Sequence, residues 1–145
     1  MKSLLVSHCL FGENVRYDGG NCQVRADYLA RLKHKYNLIF ICPEVMAGMS
    51  VPRAPIELKD GQVIDQQGND LTTQFDRVKD HLKQLVQDNQ IEIALLKDHS
   101  PSCGPRMVYD GSFSGLLIPG QGHIASFLAN LGIKLYSESQ VEELL

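Results

Sequence analysis

Leu4-Leu5-Val6-Ser7-His8-Cys9 is the stretch on which the fold of this chain turns. Three branched apolar residues follow Lys2 and Ser3 and give way at once to a hydroxyl, an imidazole and a thiol. A compact apolar run without polar alternation is the pattern of a strand buried on both faces of a parallel sheet. The run is too short for a membrane span or for the apolar region of a signal peptide, so it reads as a first strand, and the expected address is the cytoplasm. Similar runs return at Leu38-Ile39-Phe40-Ile41, from Ile91 to Leu96, and at Ile133-Lys134-Leu135-Tyr136.

Between these runs, apolar residues recur at helical spacing. One set is Val24, Tyr28, Leu29, Leu32 and Tyr36; a second is Phe75, Val78, Leu82, Leu85 and Val86; a third is Ile124, Phe127, Leu128 and Leu131. Asn21 is the expected cap of the first helix, Gly132 follows the last periodic residue of the third, and Val141 to Leu145 reads as a short helix. From Met46 to Asp70 the alternation is broken by Pro52, Pro55, Gly61 and Gly68, with a hairpin expected around Asp60-Gly61. The expected architecture is a single α/β domain over residues 1–145, a small parallel sheet with helices on both faces. At 145 residues and 43% apolar content the chain can build a core without disulfide staples. A net charge of -3 with no long basic run argues against a nucleic-acid polymer as partner.

In such a fold, ligands bind in the crevice at the carboxyl ends of the strands. Cys9 follows the first strand, Cys42 the second, and Cys103 lies in the turn Asp98-His99-Ser100-Pro101-Ser102-Cys103-Gly104 after the third. Three loops therefore deliver one thiol each to the same edge. In a reducing compartment, cysteine suits metal binding or chemistry better than disulfides. The intervals match no zinc-finger or ferredoxin spacing, so the grouping rests on topology. Thiolates bind iron and zinc, and a four-iron cubane held by three cysteines keeps one iron open, the feature that separates a catalytic metal from a structural one. Cys22, near the start of the first expected helix, reads as a structural residue. Two other readings stand beside the cluster. One is a structural zinc on Cys9, Cys42 and Cys103 closed by His8 or His99, without catalysis. The other is a thiol redox enzyme, disfavoured because no Cys-x-x-Cys pair exists.

The segments Val6-Ser7-His8-Cys9-Leu10-Phe11-Gly12, Arg16-Tyr17-Asp18-Gly19-Gly20, Cys42-Pro43-Glu44-Val45, Pro52-Arg53-Ala54-Pro55-Ile56-Glu57, Ser100-Pro101-Ser102-Cys103-Gly104 and Tyr109-Asp110-Gly111-Ser112-Phe113-Ser114-Gly115 resemble the thiouracil desulfidases. The resemblance runs from the first strand to Ser137-Glu138 with the motifs in order; His8 and Phe11 stand where small or aliphatic residues are expected. It implies a 4Fe-4S cluster on Cys9, Cys42 and Cys103. It further implies a thiolated pyrimidine substrate (4-thiouridine monophosphate, 4-thiouracil or 2-thiouracil) whose sulfur binds the fourth iron and leaves as hydrogen sulfide.

Residue chemistry supplies candidate roles. A thiocarbonyl carbon resists water until its soft sulfur is bound by a Lewis acid, and the water itself needs a base. Glu44, two residues after Cys42, is the expected base, and Ser102, beside Cys103, the residue that orients water or relays a proton. A solvated loop glutamate and a turn-forming serine are the bland alternatives. Arg16 with its neighbour Tyr17, Arg53 between two prolines, and Arg106 are candidates for holding the substrate, because guanidinium pairs well with phosphate. Each arginine has an ordinary surface role as its alternative. The turn before the first helix could add backbone N–H groups, His99 is as well suited to bonding its own turn, and His34, His81 and His123 carry no message.

Overall fold

The computed structural model describes residues 1–145. In chain order the elements are β1 (Ser3–Ser7), α1 (Ala26–Lys35), β2 (Asn37–Ile41), α2 (Pro43–Met46), β3 (Ile56–Lys59), β4 (Gln62–Asp65), α3 (Thr72–Asn89), β5 (Ile93–Leu96), β6 (Met107–Tyr109), β7 (Leu117–Pro119), α4 (His123–Asn130) and β8 (Lys134–Ser137). Two 3-10 segments, His8–Phe11 and Glu138–Leu144, follow β1 and β8.

Four strands make one parallel sheet in the order β2-β1-β5-β8. β1 is internal, with Leu4 beside Leu38 on one side and Ile93 on the other, so both its edges and both its faces are covered. Leu4, Leu5 and Val6 are accordingly all at 0% exposure, which is why the sequence shows an unbroken apolar run there. The side chains alternate between two cores, as a period of two requires. Leu4, Val6 and Leu95 pack with Leu32 of α1, with Tyr36 at its C-terminal cap, and with Val141 and Leu144 of the terminal segment. Leu5, Ala94 and Leu96 pack with Phe75, Val78 and Leu82 of α3 and with Ile124 and Leu128 of α4. Helices thus cover both faces, as expected. The strand order reverses between β1 and β5, and a crevice opens where their connections leave in opposite directions.

Several element boundaries differ from the sequence reading. α1 begins at Ala26, not near Asn21. Asn21 spends its side chain inside the preceding loop, accepting the Gln23 N–H at 3.1 Å and donating to Asn14 at 2.9 Å, so it caps nothing. Val24 donates its N–H to Leu10 (2.9 Å); it packs on the core from the loop before α1, which mimicked an extra helical position. β5 starts at Ile93 because Gln90 ends α3 in the left-handed region and the Ile91 N–H still donates to Val86 (3.0 Å). The expected hairpin is β3–β4, turning at Asp60 (φ 51°) and Gly61 (φ 77°), where two successive positive φ values give the tight turn that matches strand twist. A second hairpin, β6–β7, and the one-turn α2 were not anticipated, since elements of three or four residues carry no measurable period. The terminal helix is a 3-10 segment that begins at Glu138, capped by reciprocal Ser137 and Gln140 bonds. No helix is long and apolar enough to cross a membrane.

Candidate active site

Cys9 sits in the 3-10 turn directly after β1, Cys42 directly after β2 at the cap of α2, and Cys103 in the loop after β5. All three line one cavity of about 590 Å³ over the carboxyl ends of the strands. None is in a disulfide. Burial, reinforced by the Cys22 and Cys42 thiols, pushes Cys9 up to about 12, and burial likewise raises Cys42 and Cys103. Thiols so placed keep their protons at neutral pH until a soft cation takes the protons' place.

That donor set fits a thiolate-held cluster better than a single ion. No group of three or more His, Cys, Asp and Glu side chains converges on one ion position. The histidines considered for a zinc site, His8 and His99, also line the cavity, where His8 stacks on Phe40 (4.7 Å between centroids) and His99 meets Tyr109 edge-on (6.4 Å). Three soft ligands spread around one cavity suit a cubane, in which each thiolate serves its own iron.

The Cys103 loop is built by hydrogen bonds from three directions. Ser100 Oγ accepts the N–H groups of Cys103 (3.0 Å) and Ser102 (3.3 Å). Asp98 Oδ1 accepts those of His99 (3.1 Å), Arg106 (3.3 Å) and Met107 (3.1 Å). From α4, His123 N–H donates to Pro101 (2.9 Å), and Ile124 and Ala125 N–H donate to Ser102 (3.0 and 2.9 Å). Gly122 makes this docking possible: a Cβ there would lie 2.5 Å from the Ser102 carbonyl oxygen. Behind the loop, Glu138 accepts the Asp98 N–H (2.9 Å) and pairs with Lys97 (3.1 Å).

Glu44 enters the cavity from the first turn of α2 and is held on both oxygens. Oε1 accepts from Arg53 Nε at 3.0 Å, and Oε2 accepts from Ser102 Oγ at 3.3 Å. The Arg53 and Glu44 side chains are only 5% and 12% exposed. Ser102 Oγ lies 3.1 Å from Ser100 Oγ, so a hydroxyl chain leads away from the carboxylate.

The candidate residues fall into distinct places. Arg16, Tyr17, Glu44, Arg53 and Ser102 share the cavity with the three cysteines. Arg53 was expected to fork onto phosphate, yet its guanidinium is committed within the chain, with Nη2 donating to Val15 (2.8 Å) and Nη1 to Ser50 (3.2 Å) beside the Glu44 bond. Arg16 lies over the Tyr17 ring at 5.6 Å and donates no hydrogen bond from its guanidinium. Arg106 is exposed and outside the cavity. Cys22 is not at a helix start: it lies in the loop before α1, donates its N–H to Cys9 (2.9 Å) and lines the cavity. Glu57, Tyr109 and Phe113 also line it. Their segments were visible in the sequence, but no local pattern assigned them to this wall.

The family model described as 2-thiouracil desulfurase matches residues 4–140. The chain superimposes on a solved structure of the 4Fe-4S-dependent thiouracil desulfidase TudS with a TM-score of 0.94 and 37% identity, over 99% of this chain and 95% of that one. It is 30% identical over 154 residues to the uncharacterized protein YbbK of Bacillus subtilis (strain 168), covering 98% of this chain and 99% of YbbK. A match from the first strand to the terminal segment, on a sheet whose loops bring three thiols to one cavity, makes this chain a member of the 2-thiouracil desulfurase family.

Proposed function

We propose that this protein is a 4Fe-4S-dependent, non-redox desulfidase that converts a thiolated pyrimidine and water into the oxo-pyrimidine and hydrogen sulfide. The substrates proposed are 4-thiouridine monophosphate, 4-thiouracil and 2-thiouracil. The observation that carries the reading is a carboxylate held on both oxygens at the edge of a cavity lined by Cys9, Cys42 and Cys103. When bound by those three thiolates, the cluster supplies an iron without a protein ligand as a Lewis acid toward the thiocarbonyl sulfur.

The chain's own residues then have separable tasks. Glu44 takes a proton from water as the water's oxygen bonds to the ring carbon; each carboxylate oxygen has a lone pair to spare beside the bond it already accepts. Arg53 holds Glu44 through Nε and keeps its orientation. Ser102 steadies the other oxygen and, with Ser100, offers a route for the proton. Carbon gains an oxygen and loses its sulfur, the two water hydrogens end on sulfide, and no electrons are exchanged. Arg16, whose guanidinium makes no bond within the chain, is the residue offered to a substrate phosphate, with Tyr17 beside it.

The test is anaerobic reconstitution of the wild type and the four single Cys→Ala variants, with iron and acid-labile sulfide counted. Sulfide release from 4-thiouridine monophosphate and 4-thiouracil is then followed. Cluster loss in the Cys9, Cys42 and Cys103 variants, retention in Cys22→Ala, and sulfide release by the wild type are expected. Zinc without sulfide, or a loaded wild type inert toward every thiolated pyrimidine, would overturn the reading.

A further inference from the structure

Two conspicuous segments have no part in the chemistry above, and the fold ties them together. Glu57, in β3, is 7% exposed, and its Oε1 accepts the N–H groups of Gly111 (3.0 Å) and Phe113 (3.2 Å) in the loop between β6 and β7. A carboxylate buried to that degree is costly unless hydrogen bonded, and here the donors come from a loop more than fifty positions away. The loop is closed at its base by the Asp110 N–H to Leu116 (3.0 Å) and inside by Ser112 on Asp110 Oδ1.

Phe113 carries the cost of this arrangement. Its φ of 57° lies in the left-handed region, which a bulky side chain rarely adopts and which glycine or asparagine would occupy more cheaply. Such a conformation persists only where the surroundings enforce it, and it concentrates at functional sites. The enforcing group is Glu57, and the side chain so held lines the cavity together with Tyr109.

We propose that Phe113 is the face on which the pyrimidine ring stacks, and that Glu57 is the positioning residue that holds it there; the proposal rests on the desulfidase reading of the cavity. The reaction needs a flat ring held in one plane, with its sulfur toward the thiols and the carbon it leaves within reach of water at Glu44. Stacking supplies that restraint without choosing among substituents, because every pyrimidine has a π-face. Base and nucleotide should therefore lose affinity equally when the face is removed, which separates Phe113 from a phosphate-binding residue.

The experiment uses the cluster-loaded enzyme with Phe113→Tyr, Phe113→Leu, Phe113→Gly and Glu57→Ala, reading sulfide release from 4-thiouracil and 4-thiouridine monophosphate together with melting temperature. Stacking on an aromatic side chain corresponds to about 5- to 150-fold in affinity. Phe113→Leu should raise KM on the order of tenfold by that measure, alike for both substrates, while Phe113→Tyr stays within about twofold. Phe113→Gly adopts the positive φ without strain, which offsets part of the packing lost with the half-buried ring, so it should fold, keep its cluster and still show the raised KM. Glu57→Ala should raise KM as Phe113→Leu does and open residues 110–116 to protease. Unchanged KM in the Leu and Gly variants would remove Phe113 as the stacking face, and an opened loop with unchanged KM would remove Glu57 from its positioning role. A wild type that carries its cluster and releases no sulfide would instead defeat the desulfidase reading itself.

Discussion

Glu44 and Arg53 form a nearly dry ion pair, and substitutions at the two residues test the proposed base apart from its proposed clamp. Glu44→Gln preserves volume and both neighbouring donors but loses the basic oxygen. Iron content and binding of 4-thiouridine monophosphate, read from the cluster spectrum, should stay near wild type, while turnover falls by about 10²–10⁴-fold, the usual worth of a general base. Loss of iron in that variant would make Glu44 a ligand instead. Arg53→Ala leaves the carboxylate without its partner. Removing one side of a buried pair costs about 3–5 kcal/mol, so thermal unfolding should register it. Its kcat should drop equally on free base and nucleotide, because the guanidinium faces Glu44, Val15 and Ser50. Arg16→Ala should show the opposite split, with KM raised for the nucleotide and little changed for 4-thiouracil. Steady-state kinetics on both substrates checks the pair of predictions. The contrast was invisible in the sequence, where both arginines were loop residues near the same edge.

Among the elements, α4 has the least obvious influence on the site. Its first N–H groups are spent on the carbonyls of Pro101 and Ser102, and the contact is close enough that Gly122 has no room for a side chain. Gly122 itself has an ordinary φ of -58°, so Gly122→Ala tests the close approach and nothing else. A methyl 2.5 Å from the Ser102 oxygen must push the helix or the loop aside. Overpacking of this kind costs about 1–3 kcal/mol, and the displaced loop is the one that carries Cys103. A lower melting temperature and less iron per chain are expected; full cluster content with unchanged melting would show that the loop stands without α4. The amphipathic pattern of α4 was legible, because Ile124 and Leu128 face the core. Its docking on the cysteine loop was not, since backbone-to-backbone bonds leave no trace in side-chain periodicity beyond a single glycine.

For the molecule as a whole, the buried thiols set a pH dependence in the metal-free state. A thiol in the unfolded chain gives up its proton near the ordinary 9.0, whereas Cys9 in the fold holds it to about 12, with Cys42 and Cys103 raised as well. Between those values the unfolded chain binds fewer protons than the folded one, so stability falls as pH rises; below 9.0 both states are protonated and the effect vanishes. The melting temperature of metal-free protein should decline from about pH 9.0 upward, more shallowly in Cys9→Ala. Equal slopes in the two proteins would assign the decline to other groups. Loading the cluster should raise the melting temperature at neutral pH, as any ligand specific for the folded state does.

What the sequence determined by itself was the parallel sheet, its two helical faces, the three thiols at one edge and the presence of Glu44 beside them. Burial leaves an unbroken apolar run in a covered strand and a helical period in a half-covered helix, and the loops after such strands must meet at one end. Tertiary structure alone decided that Arg53 pairs with Glu44, that Arg106 stays outside the cavity, that Cys22 lies against Cys9, and that Glu57 accepts the Phe113 N–H at the cavity wall. The pairings are choices of hydrogen-bond partner among loops and short elements, from nine positions apart for Glu44 and Arg53 to 56 for Glu57 and Phe113. Such loops have no period to reveal where they settle, and a buried polar group takes whichever donor the packed elements bring within reach.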